Sequence, residues 1–118
     1  MQYMLLIYMK EDAMTQSERE ACYVESTQLA NDLHAEGCYK GCGPLQPVAT
    51  AASVWVRDGK RMVTDGPFAE TREQLGGYFV IEAANHDEAV AIAERIPAAK
   101  KGTVEVRPMI EVPGLPAI

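Results

Sequence analysis

Basic residues are scarce in this chain. Eleven lysines and arginines stand against 17 aspartates and glutamates, giving a formal charge of −6 and an isoelectric point near 4.9. Nucleic acid and anionic membrane surfaces both need a positive patch to neutralise phosphates, so neither partner is expected. The cations are also dispersed. Arg57, Lys60 and Arg61 flank a predicted turn, and Lys100 with Lys101 precedes the last predicted strand. Neither group has the interleaved aromatics of a single-strand binder.

Cysteine is equally sparse. Cys22, Cys38 and Cys42 are odd in number, which argues against a disulfide framework. His34, Cys38 and Cys42 recur every four residues, but Gly37, Gly41 and Gly43 break the helix that would align them. With no fourth ligand at a known spacing, no metal is expected. Long apolar runs are missing too. The run from Tyr3 to Met9 is too short to span a bilayer and lacks the basic lead-in and cleavage site of a signal peptide. A cytoplasmic location without a membrane partner is therefore expected. No Gly-rich phosphate loop, nucleophile elbow or zinc signature occurs, and no cofactor is expected.

What the chain does contain suits one globular α+β domain. Its 118 residues are 47% apolar and 24% charged, sufficient for a core without staples. The domain is assigned to residues 1–112, with a Pro-rich tail over 113–118. Residues 3–9 form a strand-length apolar run. Thr15-Gln16-Ser17-Glu18 reads as a capping box, opening a helix that runs to about His34 and ends at Gly37. Its inward stripe, Cys22, Ser26, Leu29, Ala30 and Leu33, is thin for a core helix.

The Gly- and Pro-rich stretch 37–47 reads as loop with a short strand around Cys38 to Lys40. Ser53–Arg57 and Arg61–Thr64, joined by Asp58-Gly59, predict a tight hairpin. Residues 76–83 predict a strand with an apolar centre on both faces. Asn85 caps a second helix carrying Ala89, Ile92, Ala93 and Ile96 until Pro97. Alternation over Thr103–Val112 predicts the last strand.

The order β-α-β-β-β-α-β matches a ferredoxin-like antiparallel sheet with an added hairpin strand and two helices on one face. The strands at 3–9 and 78–81 are apolar on both faces, so the second face needs cover. A second copy of the same sheet supplies it most simply, and a homodimer is expected.

The densest polar cluster is Asp65-Gly66-Pro67-Phe68-Ala69-Glu70-Thr71-Arg72-Glu73-Gln74, with Phe68 as its apolar anchor. With Leu75-Gly76-Gly77-Tyr78 it resembles the DGPF-motif branch of the YCII-related family, differing in its core only at Arg72, where the family usually has lysine. The resemblance extends from Tyr3–Tyr8 through Gly43-Pro44-Leu45-Gln46-Pro47 and Val63-Thr64 to Val104–Pro108. It implies a dimeric α+β barrel of ferredoxin-like subunits. It also implies that Asp65 matches an aspartate proposed, in related members, to pair with histidine as an acid–base site. The helix position where such chains often carry histidine is Ser26 here, while His34 and His86 lie elsewhere.

Each candidate has two readings. Asp65 before Gly-Pro is either a turn former whose carboxylate accepts backbone amides, or a general acid or base in a cleft beside Phe68 and Tyr78. Glu70, Arg72 and Glu73 form a solvated or ion-paired loop, or Arg72 holds a carboxylate ligand. Arg107, with Glu105 and Glu111 on its strand face, is part of a cross-strand ion pair or an anion site. Two functions follow. One is a small homodimeric enzyme that uses Asp65 on a small organic molecule, with residues 65–78 lining the site. The other is a non-catalytic metabolite-binding or regulatory module, a setting suggested by the frequent occurrence of family members beside alternative sigma factors.

Overall fold

A computed structural model describes all 118 residues. Its elements run β1 (Gln2–Met9), α1 (Gln16–Ala35), β2 (Tyr39–Pro44), a 3-10 turn at Val48–Thr50, β3 (Ala52–Arg57), β4 (Lys60–Asp65), β5 (Gln74–Glu82), α2 (His86–Ala93), a second 3-10 turn at Pro97–Lys100, and β6 (Thr103–Pro108). No helix is long and apolar enough to cross a membrane.

Helix α1 begins with the reciprocal bonds of a capping box: the Thr15 hydroxyl accepts from the Glu18 amide at 3.2 Å, and the Glu18 carboxylate accepts from the Thr15 amide at 3.1 Å. It ends in a left-handed turn at Gly37, φ 83°. There the Gly37 amide donates to the His34 carbonyl and the Cys38 amide to the Leu33 carbonyl, which satisfies two carbonyls that the helix end leaves unpaired. Helix α2 is capped by the Asn85 side chain, which accepts from the Glu88 amide at 2.9 Å. Beyond Ala93 it tightens into the shorter-range bonds from Arg95 to Ile92 and from Ile96 to Ala93, and Ile96, the residue before Pro97, is extended at ψ 122°, as a following proline favours. Ile96 nonetheless stays in the core.

Strands β2, β5, β1 and β6 form one antiparallel sheet in that order, the strand order of a ferredoxin-like fold. The register pairs Tyr3 with Ile81 and Leu5 with Phe79, so these four share a face. Together with Leu29 and Leu33 of α1 and Ala89, Ile92 and Ala93 of α2 they make the core. Leu5, Leu33 and Ile81 are wholly buried, each worth about 1.5–3 kcal/mol of transfer free energy. On the opposite face, which neither helix covers, Met4 pairs with Val80 and Leu6 with Tyr78; Val80 is buried there, and Met4, Leu6 and Tyr78 are half-buried. In β6, Val104 and Val106 pack against the core, while Glu105 and Arg107 alternate to the open side.

Three expectations need correction. Strand β2 extends to Pro44 rather than ending near Lys40, with Gly41 and Gly43 inside it. Tyr78 pairs with Gly43, and its ring lies where it would touch a Gly43 side chain, 3.4 Å from the hydroxyl. That aromatic cover lets a glycine sit in a strand. The last strand ends at Pro108 instead of Val112; proline has no amide to continue a ladder, and Ile110 and Val112 are exposed beyond it.

The hairpin β3–β4 is the third difference. Asp58 and Gly59 both adopt positive φ, 52° and 74°, as a type I′ turn requires. The hairpin forms a separate two-stranded sheet rather than an added strand of the main one. Pro44 and Pro47 remove donors as the chain leaves the β2 edge, and the Val48–Thr50 turn leads it away.

Candidate functional site

The thin stripe of α1 determines where the molecule is hollow. Leu29 and Leu33 seat the C-terminal half of the helix in the core. Toward its N-terminus the inward positions are Ala30, Ser26 and Cys22, and the sheet beneath offers Cys42, Gly43 and Gly77. Small side chains on the helix wall and Gly77 on the sheet wall leave a groove of about 830 Å³ between α1 and the sheet. Ile7, Cys42 and Phe79 line it from the sheet side, and Leu45 and Pro47 come from the loop after β2.

One end of the groove carries His34 and Tyr39, whose rings meet edge to face with centroids 6.2 Å apart. The Tyr39 hydroxyl donates to the Cys42 sulfur at 3.4 Å. That bond, aided by burial, pushes the Tyr39 phenol above its ordinary pKa. Within α1 the Cys22 sulfur and Ser26 hydroxyl lie 4.0 Å apart. Cys38 is directed away to the Leu33 carbonyl, and burial followed by the Glu36 carboxylate raises its thiol pKa.

The other end carries Lys10, Glu11 and Arg19. Glu11 organises it. Its carboxylate accepts the Val48 amide at 2.8 Å, its own amide donates to the Gln74 side chain at 3.2 Å, and its carbonyl accepts from Arg19 Nη2 at 2.8 Å. Three segments distant in sequence are thereby held around the groove mouth.

Of the residues singled out in the sequence, Tyr78 borders this groove, although its ring lies across Gly43 on the other face of the sheet. Asp65 does not border it. It is the last residue of β4, pairs with Ala52 and is exposed. The turn after it is closed by the Gly66 amide on the Ala51 carbonyl at 2.7 Å and by the Ser53 hydroxyl on the Gly66 carbonyl at 2.9 Å. Phe68 is 92% exposed, so within one chain it anchors nothing, contrary to expectation; Pro67 and Ala69 beside it are exposed as well.

Glu70 lies exposed in the same loop. Arg72 borders a shallow depression with Tyr8, Lys10, Glu73, Thr103 and Glu105, where the Thr103 hydroxyl donates to Glu73 at 2.9 Å. Arg107 pairs with Glu105 of its own strand at 3.5 Å, a within-strand contact rather than the cross-strand one expected. Arg72 and Arg107 thus both come to the neighbourhood of Glu105, away from the groove. No three His, Cys, Asp or Glu side chains gather as a metal site would require.

The groove residues Ile7, Glu11, Tyr39 and Cys42 had no motif to mark them. The available signal was the pairing of a thin helix stripe with a glycine-bearing strand. Comparison with known proteins bears on the whole chain. The model of the YCII-related domain matches residues 1–113. An uncharacterised protein of Rhizobium meliloti (strain 1021) is 37% identical over an alignment of 118 positions that covers 92% of each chain.

Proposed function

The chain belongs to the YCII-related domain family, and from that premise we propose that it binds a small, largely apolar organic molecule in the groove between α1 and the sheet. The observation that carries the reading is the groove itself. Its volume of about 830 Å³ lies within the range of small-molecule sites. Apolar walls end in a few polar groups, Tyr39 and His34 at one end and Arg19 and Lys10 at the other, suited to orienting a guest.

We place the chain within the DGPF-motif branch on the strength of Asp65-Gly66-Pro67-Phe68, and in the cytoplasm. It works as a homodimer whose subunits pair through the open sheet face, supported by the apolar stripe of Met4, Leu6 and Tyr78, which neither helix covers and which stays only half-buried in the single chain. An acid or base role for Asp65 needs groups from outside its own chain, because its carboxyl stands outside the groove. Ligand binding alone, as in a metabolite sensor, is the simpler use of this geometry.

The test uses 2-naphthol as probe, followed by amide shifts in nitrogen-15 NMR spectra. Saturable shifts are expected at Ile7, Tyr39 and Cys42, and Ala30→Leu, which fills the groove, should abolish them. Shifts that persist unchanged in Ala30→Leu, or no shifts at millimolar probe, would overturn the reading.

A further inference from the structure

The β3–β4 hairpin carries more apolar surface than a free arm tolerates. Val54 and Val63 face each other in the register and, with Val56, form one side of the ribbon; they are 63%, 43% and 58% exposed. Met62 is 47% exposed on the other side. An isolated two-stranded hairpin is marginal in water, and this one is paired mainly with itself. A ribbon with branched side chains on a bare face needs something to lie against.

The whole chain shows the same deficit. It exposes 8310 Å², whereas a compact folded monomer of 12.9 kDa exposes about 6,300 Å². Its radius of gyration is 16.0 Å, against about 13.5 Å for a compact domain of this length. The excess of about 2,000 Å² exceeds the roughly 800 Å² that each partner contributes to a standard interface.

Charge indicates what the arm would meet. The tip, residues 57–61, holds Arg57, Lys60 and Arg61 against Asp58, a local net charge of +2 that leaves −8 on the rest of this −6 chain. A cationic tip at the end of an apolar ribbon is complementary to another copy of the same acidic body.

We infer that the β3–β4 hairpin is an arm that packs its valine face on a second copy of this chain, with its Arg57–Arg61 tip against the partner's acidic surface. The inference rests on the homodimer proposed above and adds to it a contact beyond the open sheet face.

Sedimentation equilibrium of the full chain between 1 and 100 µM tests it. The wild type should dimerise, and raising salt from 0.05 to 0.5 M should weaken the dimer, because the tip's contribution is screened. The double substitution V54E/V63K places opposite charges at directly opposed positions, an arrangement that supports the hairpin while removing its apolar face. It should raise the dimer dissociation constant at least about tenfold. V54T/V63T keeps shape and β-branching and should raise it severalfold, which covers the case in which the charged variant fails to fold.

A wild type that is monomeric at 100 µM would overturn both the arm and the homodimer. A wild-type dimer left unchanged by V54T/V63T, and by V54E/V63K where that variant folds, would overturn the arm alone and assign the interface to another surface.

Discussion

The Glu11 carboxylate and the Val48 amide meet at 2.8 Å, joining the turn after β1 to the 3-10 turn beyond β2. Together with the Leu45 amide on the Gly76 carbonyl at 2.8 Å, this bond holds the loop carrying Leu45 and Pro47 at the groove mouth. Glu11→Ala should cost about 1 kcal/mol in urea unfolding, the worth of one partly solvated charge-assisted bond. It should also accelerate hydrogen exchange at Val48 more than at the β1–β5 ladder. Equal exchange at Val48 in both proteins would show that the loop holds itself.

Gly102 and Gly41 should respond oppositely to alanine. A Cβ on Gly102 would stand 2.2 Å from the Tyr8 carbonyl oxygen and 3.1 Å from the Met9 Cβ, whereas one on Gly41 would meet nothing within 4 Å. Backbone cannot give way as a flexible side chain can. Gly102→Ala is expected to lose about 1–3 kcal/mol or more, and Gly41→Ala to stay within about 0.5 kcal/mol of wild type. Thermal melts of the pair give a direct comparison.

Glu18 makes stability depend on acid. Its carboxyl is held down to about 2 from an ordinary 4.5, chiefly by the hydrogen bond from Lys101 and then by the Thr15 amide. A depressed folded value contributes stability that is fully present above about 4.5 and lost as pH falls through about 2. Glu18→Gln keeps a capping-box acceptor and removes the charge. The stability gap between wild type and variant should therefore be constant above pH 5 and close between pH 4.5 and 2. The gap should be small, because both partners are more than two-fifths exposed. A gap that stays constant down to pH 2 would remove the ion pair from the account.

Asp65→Asn should leave 2-naphthol binding in the groove unchanged, since Asp65 is not among the groove's lining residues. A loss of binding larger than about threefold would connect β4 to the groove and require a different site.

Much of the fold was legible because local chemistry and tertiary packing agree. The Thr15–Glu18 box, the Gly37 cap, the Asp58-Gly59 turn and the Asn85 cap each satisfy their own backbone groups. Strand β2 was harder, because Gly41 and Gly43 carry no strand signal, and Gly43 acquires its cover only from Tyr78, thirty-five positions beyond it. The site was less legible still. Asp65 drew attention because polar residues cluster around it, while the groove arises from missing volume at Cys22, Ser26 and Ala30. A void formed between two elements has no residue type of its own, so periodicity marked α1 as thin without revealing what lay beneath it.

That thinness has a mechanical consequence. Helix α1 is seated in the core at Leu29 and Leu33, while its opening turn is moored by solvent-exposed tethers: Glu18 to Lys101 and Arg19 to the Glu11 carbonyl. A guest too bulky for the resting groove would tilt the helix as a lever with its fulcrum at Leu33. The moorings that part first would be solvent-exposed polar contacts, each worth little, so widening the aperture would leave the hydrophobic seat intact.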